Sequence, residues 1–231
     1  MDWRLLILLT AIPLTGCDTA PDYRFKMTPE VETPVGLERF STVRQVVQTN
    51  ALMIGSREAP AFSRDVEGEA LALALPESAD VYALLGPPGD FPEDVALLTD
   101  PTLHGLDRIR ARIEQVGIYD LPRQVDRGDD RIRSGWPRLA RFTRPNDPTS
   151  IVELDPDALP GGARLKPITI EITEEPVSND IPRRLPWLAD RRTNFSSVRY
   201  PTTDALAVTA NRGMFTTASQ EALARSRSGA P

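Results

Sequence analysis

The stretch Leu165-Lys166-Pro167-Ile168-Thr169-Ile170-Glu171-Ile172-Thr173-Glu174-Glu175 decides the fold class. Ile168, Ile170 and Ile172 fall on one side, with Thr169, Glu171 and Thr173 on the other. Successive side chains of a strand point to opposite faces, so this period of two predicts a half-buried strand. The same alternation occurs near the other end of the chain, where Tyr23, Phe25 and Met27 interleave with Arg24, Lys26 and Thr28.

Other segments fit a sheet. Val43 to Ile54 is rich in valine, and Val81 to Leu85 is apolar. Glu69 to Leu75 is made of alanine and leucine, which favour helix. Its shortness and the flanking Gly68 and Pro76 favour a strand, and the polar link from Glu77 to Asp80 suits a hairpin to Val81. Leu139 to Phe142, Ile151 to Leu154 and Ala205 to Ala210 are further short candidates, and Pro145-Asn146-Asp147-Pro148 and Pro160-Gly161-Gly162 read as turns. Asp120 to Asp130 reads as a polar surface loop. One amphipathic helix is expected over 102–117. It starts at Asp100-Pro101-Thr102, repeats Leu103, Leu106, Ile109, Ile113 and Val116, places Arg108, Arg110, Arg112 and Glu114 on other faces, and stops at Gly117. Proline occurs 22 times and is scattered, which disfavours a helical bundle. The expected fold is α+β and β-rich, a single antiparallel-sheet or sandwich-like body with one attached helix.

Composition bounds the function. The chain has 231 residues, 40% of them hydrophobic and 26% charged, ordinary usage for a folded domain. Its net charge of −6 argues against general nucleic-acid binding. A single cysteine, Cys17, allows no disulfide within the chain, and a single histidine, His104, removes every two-histidine metal motif and the usual zinc sites.

The N-terminus has its own signal. Arg4 precedes an almost wholly apolar run from Leu5 to Leu14. Such a run is shorter than the roughly 20 residues that cross a bilayer and has the form of a secretory signal. The stretch Leu14-Thr15-Gly16-Cys17 resembles the lipobox of bacterial lipoproteins. That resemblance implies cleavage before Cys17, a diacylglyceryl group on its thiol, and two or three acyl chains, enough for stable anchoring. It implies a membrane-anchored protein facing the periplasm, and Asp18 after the lipidated cysteine favours the inner membrane. The expected organisation is a signal peptide over 1–16, a lipidated N-terminus and short tether over 17–22, a globular domain over 23–218 and a flexible tail over 219–231. A thiol so acylated is no nucleophile. Two further stretches resemble an uncharacterised group of alphaproteobacterial envelope proteins: Gly68 to Leu73 with Tyr82 to Leu85, and Leu165 to Glu171 through Pro176-Val177 to Arg184-Leu185-Pro186-Trp187-Leu188. This implies a real domain and no particular chemistry.

Candidate sites are few. His104 with a serine and an aspartate would make a hydrolase triad, but no Gly-x-Ser-x-Gly turn occurs, and a surface or capping histidine is favoured. Asp129, Asp130, Asp155 and Asp157 offer oxygens to a hard cation, at a spacing that fits no known loop. Glu174 and Glu175 are adjacent on a strand and so point apart. Arg123, Arg127, Arg131, Arg133, Arg138, Arg141 and Arg144 surround Trp136. Arg131, Arg133, Trp136 and Arg138 make a candidate membrane patch for anionic headgroups, and Trp187 of the compact Leu185-Pro186-Trp187-Leu188 group belongs to a candidate partner-binding patch. A surface laced with ion pairs and, for Trp187, core packing are the favoured readings. No catalytic residue, metal or cofactor is implied. The expected role is a non-catalytic interaction or structural module of the envelope, with a small-ligand- or lipid-binding lipoprotein as the alternative and a carboxylate-dependent hydrolase third.

Overall fold

A computed structural model describes residues 21–51, 61–76, 78–86, 92–97, 100, 102–126, 132–189 and 212–217. Cys17, Arg131 and the segments expected as a strand at Ala205 to Ala210 and as a tail at Ser219 to Pro231 lie outside the described residues.

The body is β-rich, with short helices attached. Its strands are β1 (Tyr23–Thr33), β2 (Gly36–Arg39), β3 (Thr42–Ala51), β4 (Ala61–Glu67), β5 (Leu71–Leu73), β6 (Val81–Ala83), β7 (Tyr119–Leu121), β8 (Gln124–Asp126), β9 (Ile132–Ser134), β10 (Leu139–Phe142), β11 (Ile151–Leu154) and β12 (Arg164–Ile172). Among the described residues the helices are α1 (Pro92–Ala96), α2 (Gly105–Ile113) and α3 (Ile181–Arg184). The larger sheet runs β4-β3-β1-β12-β7, with β2 also on β1. The smaller runs β11-β10-β6-β5, and β8 and β9 make a separate ribbon. Every pairing is antiparallel.

The two alternating stretches of sequence meet. Phe25 lies opposite Ile172, Met27 opposite Ile170 and Pro29 opposite Ile168. β1 alternates buried and less buried positions along its whole length. On its other edge it pairs with β3 over its first half and β2 over its second. Pro29 has no N–H to give, and the register with β12 shifts just past it.

The sheets share one core. Phe25, Met27, Val31, Val46, Leu165, Ile168 and Ile170 of the larger sheet pack with Leu71, Leu73, Val81, Ala83 and Leu139 of the smaller. The small sheet is buried on its second face too. There Ala70, Tyr82, Leu84, Ala140, Phe142 and Ile151 meet Ile181, Leu185, Leu188, Met214 and Phe215. Tyr82, Phe142, Trp187 and Phe215 contact one another edge-on or tilted, with ring centroids 5.2 to 6.5 Å apart. The segment at 214–217 is tied down by backbone bonds from Ala70 N–H to Phe215 O, from Leu85 N–H to Met214 O and from Thr217 N–H to Gly68 O.

Two expectations need correction. The helix expected over 102–117 is present but shorter, Gly105–Ile113, and among the described residues it is accompanied by the short α1 and α3. Asp100 accepts from the N–H and hydroxyl of Thr102, a side-chain turn that delays the helix to Gly105. At its end Glu114 N–H reaches Arg110 O, and Gly117 at φ +140° turns the chain away. Val116 is left 95% exposed instead of joining the apolar face. The loop expected over Asp120 to Asp130 contains β7, at the edge of the large sheet, and β8. Three-residue strands are too short for alternation to mark them.

Phe25 is fully buried, whereas Thr28 is on the opposite face of β1. Phe25→Ala should lower the unfolding free energy of the Cys17→Ser protein by about 3–5 kcal/mol. Thr28→Ala should cost less than about 1 kcal/mol, both read from urea midpoints.

Candidate functional site: a buried cluster of charges

Two arginines occupy positions where the local pattern calls for apolar side chains. Arg44 sits on β3 opposite Phe25, two residues from the buried Val46. Arg112 follows Ile109 by three residues on α2 and lies on its inner face. Both are essentially without solvent contact, at 2% and 1% exposure. A buried guanidinium is costly unless compensated, and the compensation comes from α1. This five-residue helix begins with proline, which suits the first turn. Glu93, Ala96 and Leu97 share one side of the turn at three- and four-residue spacing, so burying Ala96 and Leu97 carries the Glu93 carboxyl inward.

The resulting network joins five elements. Arg64 of β4 grips Asp94 with two bonds, Nη1 to Oδ1 at 2.8 Å and Nη2 to Oδ2 at 2.6 Å. Arg112 forms an ion pair with Asp94 through the same Oδ1 and donates to the Tyr23 hydroxyl oxygen at 3.4 Å. Tyr23 in turn donates to Glu93 Oε1 at 3.3 Å. Arg44 donates from Nε to the Glu69 carbonyl at 3.2 Å. A Cβ on Gly68, whose φ is +150°, would stand 2.9 Å from Arg44 Cγ, so glycine is what lets the arginine lie flat beneath this turn.

The electrostatics follow from who holds whom. The guanidinium hydrogen bonds go to Asp94, and Glu93 receives one from the Tyr23 phenol. Glu93 Oε2 has no hydrogen-bond partner, nor have Arg44 Nη2 and Arg112 Nε. Burial therefore dominates at Glu93, and with the neighbouring Asp94 charge it pushes the carboxyl up to about 7, against its own backbone N–H and the pull of Arg112 and Arg64. Burial brings Arg44 down to about 10, opposed by Glu93 and Glu69. The Tyr23 hydroxyl is pushed up by burial and then by Glu93. The Asp94 hydrogen bond raises Arg64. Chemically the cluster holds a proton at Glu93 near neutral pH and clasps α1 and α2 to the sheet.

Beside the Glu69 end lies a groove of about 180 Å³, lined among others by Phe40, Thr42, Glu69, Ser178, Asp180 and Arg184. Glu69 accepts from the N–H groups of Asp180 and Ile181 at 2.6 and 2.8 Å, which fixes the start of α3. Burial raises its pKa, and those two bonds oppose the rise. The Thr42 hydroxyl at the wall is buried and has no partner.

The residues singled out in the sequence fall elsewhere. Arg133 is in β9, although its side chain is not described. Trp136 packs against the first core, donates to Leu121 O at 2.9 Å and lies 5.1 Å beneath the Arg123 guanidinium. Arg138 binds both oxygens of Glu153 at 2.8 Å. Trp187 packs against the second core and donates to Pro145 O at 3.0 Å. Trp136 and Trp187 thus pack against different cores, on the two faces of the small sheet. Arg123 pairs with Asp157 and Arg144 with Asp147. Asp155 accepts from Asp157 N–H in a turn. His104 takes the N-cap position of α2 without capping it. Glu175 pairs with Lys26. Among the described residues no group of three or more His, Cys, Asp or Glu side chains is placed to hold a metal ion, and no helix is long and apolar enough to cross a membrane.

The buried cluster was not recognised from sequence. The available signal was the helical angle of Arg112, between Ile109 and Ile113. Compared with known proteins, the chain matches no family model, no curated protein and no solved structure.

The raised Glu93 value sets a pH dependence. The unfolded carboxyl titrates near 4.5 and the folded one at about 7. Between these values the folded state binds more protons, so stability falls as pH rises from about 4.5 to 7 and then levels. Glu93→Gln should remove that component of the slope and gain about 1–3 kcal/mol over the parent at pH 8, measured by urea unfolding across pH. Arg112→Met keeps the volume and leaves buried carboxylates undercompensated. It should cost roughly 3 kcal/mol or more at pH 8, read the same way.

Proposed function

We propose that this chain is a lipid-anchored, non-catalytic module of the bacterial envelope that holds a protein partner close to the membrane surface. The observation that carries the reading is the short covalent distance between Cys17 and the body. β1 begins at Tyr23, six residues on, and Tyr23 is already buried and bonded into the charge cluster. Six extended steps reach at most roughly 20 Å, so a lipid on Cys17 holds the folded body against its membrane. The buried ionisable groups support a structural role. Asp94, Arg64 and Arg112 engage one another, and Glu69 engages backbone N–H groups.

A second reading, small-ligand binding, is favoured by the groove and by the unpartnered Thr42 hydroxyl at its wall. It predicts a small polar molecule retained in native mass spectra of the parent and lost from Thr42→Val.

The anchor and the partner are tested together. Tagged protein is crosslinked in living cells and recovered beside a Cys17→Ser control. The parent should carry acyl chains by mass, sediment with membranes and bring down one specific protein, and the control should do none of these. An unacylated parent would end the anchor reading. An acylated parent with no partner would shift the weight to the groove.

A further inference from the structure

Among the described residues, four large apolar side chains are markedly exposed, and they fall in two pairs. Val35 (79%) and Leu37 (54%) flank the turn from β1 to β2. Val116 (95%) and Ile118 (68%) lie in the loop that leads into β7. The strand registers place the pairs at opposite ends of the large sheet. Met27 lies opposite Ile170, and Ile170 opposite Tyr119. β1 and β7 both run antiparallel to β12, so they are parallel to each other. Residues that precede Tyr119 therefore lie toward the end where β1 starts, two strands across, about 10 Å away. The turn carrying Val35 is a full length of β1 distant, roughly 33 Å.

The Val116 loop is held in shape. Tyr119 donates its hydroxyl to Val116 O at 3.3 Å, and Gln115 N–H bonds to Arg112 O. A Cβ on Gly117, at φ +140°, would meet the Tyr119 hydroxyl at 3.5 Å and its ring at 3.6 Å. The two apolar side chains are thus presented by a supported turn. Charges at this end of the sheet are mixed and largely engaged. Asp22 accepts from Gln48 N–H, Arg24 donates to the carbonyls of Glu174 and Glu175, and Lys26 pairs with Glu175.

We infer that this end of the large sheet rests on the lipid surface, with Val116 and Ile118 inserted among the headgroups beside the anchored N-terminus. The inference rests on the lipid-anchor reading. Cys17 lies six residues before Tyr23, so acyl chains in the bilayer bring this end, and the exposed pair on it, to the membrane. Two aliphatic side chains add modest apolar burial to that of the acyl chains. Their effect is therefore on orientation rather than on whether the protein binds. Insertion of aliphatic side chains needs no charge on the lipid, so zwitterionic lipid suffices.

The test uses the mature protein purified from membranes and reconstituted on phosphatidylcholine vesicles. Acylation consumes the thiol of Cys17, so an introduced cysteine is the only reactive thiol. An environment-sensitive nitrobenzoxadiazole probe is placed on Val116→Cys or, at the far end, on Leu37→Cys. The probe at 116 should shift to the blue on vesicles and lose several-fold of its quenching by aqueous iodide, and Ile118→Asp should reduce both changes. The probe at 37 should stay at its solution values. Acylated, vesicle-bound protein whose probe at 116 remains exposed, or whose probe at 37 shifts instead, overturns the inference and leaves the anchor reading intact. Protein without acyl chains overturns both.

Discussion

The structure depends on one constraint: β1 is paired on both edges. Its outer partners, β2 and β3, follow directly in the chain, but its inner partner, β12, comes some 140 residues later. Closing so long a loop carries an entropic cost that only the finished contacts offset. Those contacts are the apolar rows of Phe25 and Met27 against Ile170 and Ile172 and, below them, the small sheet. With β1 so placed, the large sheet has a centre, β7 has a template edge on β12, and the small sheet has a face to cover.

The cluster around Glu93 is best understood beside that constraint. Tyr23 begins β1, Arg44 is in the next strand across, and Arg64 is in the edge strand. The helices α1 and α2 have too few residues to be stable alone, and they are clasped to the sheet by Asp94 and Arg112. Buried ion pairs seldom add net stability over well-packed apolar groups. Here they join elements that apolar packing alone would leave free to slide. Glu93 is the imperfect member. It is fully buried and takes no guanidinium hydrogen bond for itself, and so its carboxyl is pushed up to about 7.

The two ends of the large sheet differ in what reaches them. At the β1–β2 turn the Pro160–Gly162 turn leads into β12, whose Arg164 lies opposite Glu32. At the other end the N-terminal segment enters and the α2–β7 turn presents its apolar pair. This polarity follows from the direction of β1 and the parallel course of β7, neither of which shows in composition.

The sequence by itself determined the strands long enough to alternate. β1 and β12 were legible because one face of each is buried and the other wet, and that asymmetry is written in every second residue. The hairpin of β5 and β6, the turns at Asp147 and Pro160 and the β-rich class were readable for equally local reasons. What only the tertiary structure decided is what depends on neighbours distant in the chain. Three-residue strands such as β7 carry no period and exist because β12 offers an edge. Arg112 looks like a solvated arginine until α1 brings Asp94 to it, and Arg44 like an interruption until Gly68 makes room above it. That Trp136 and Trp187 pack on opposite faces of the small sheet is likewise decided by the fold alone. A charge, unlike a methyl group, does not reveal from its own surroundings in the chain whether it will be paired in the interior or left in water, because its partner is chosen by the fold.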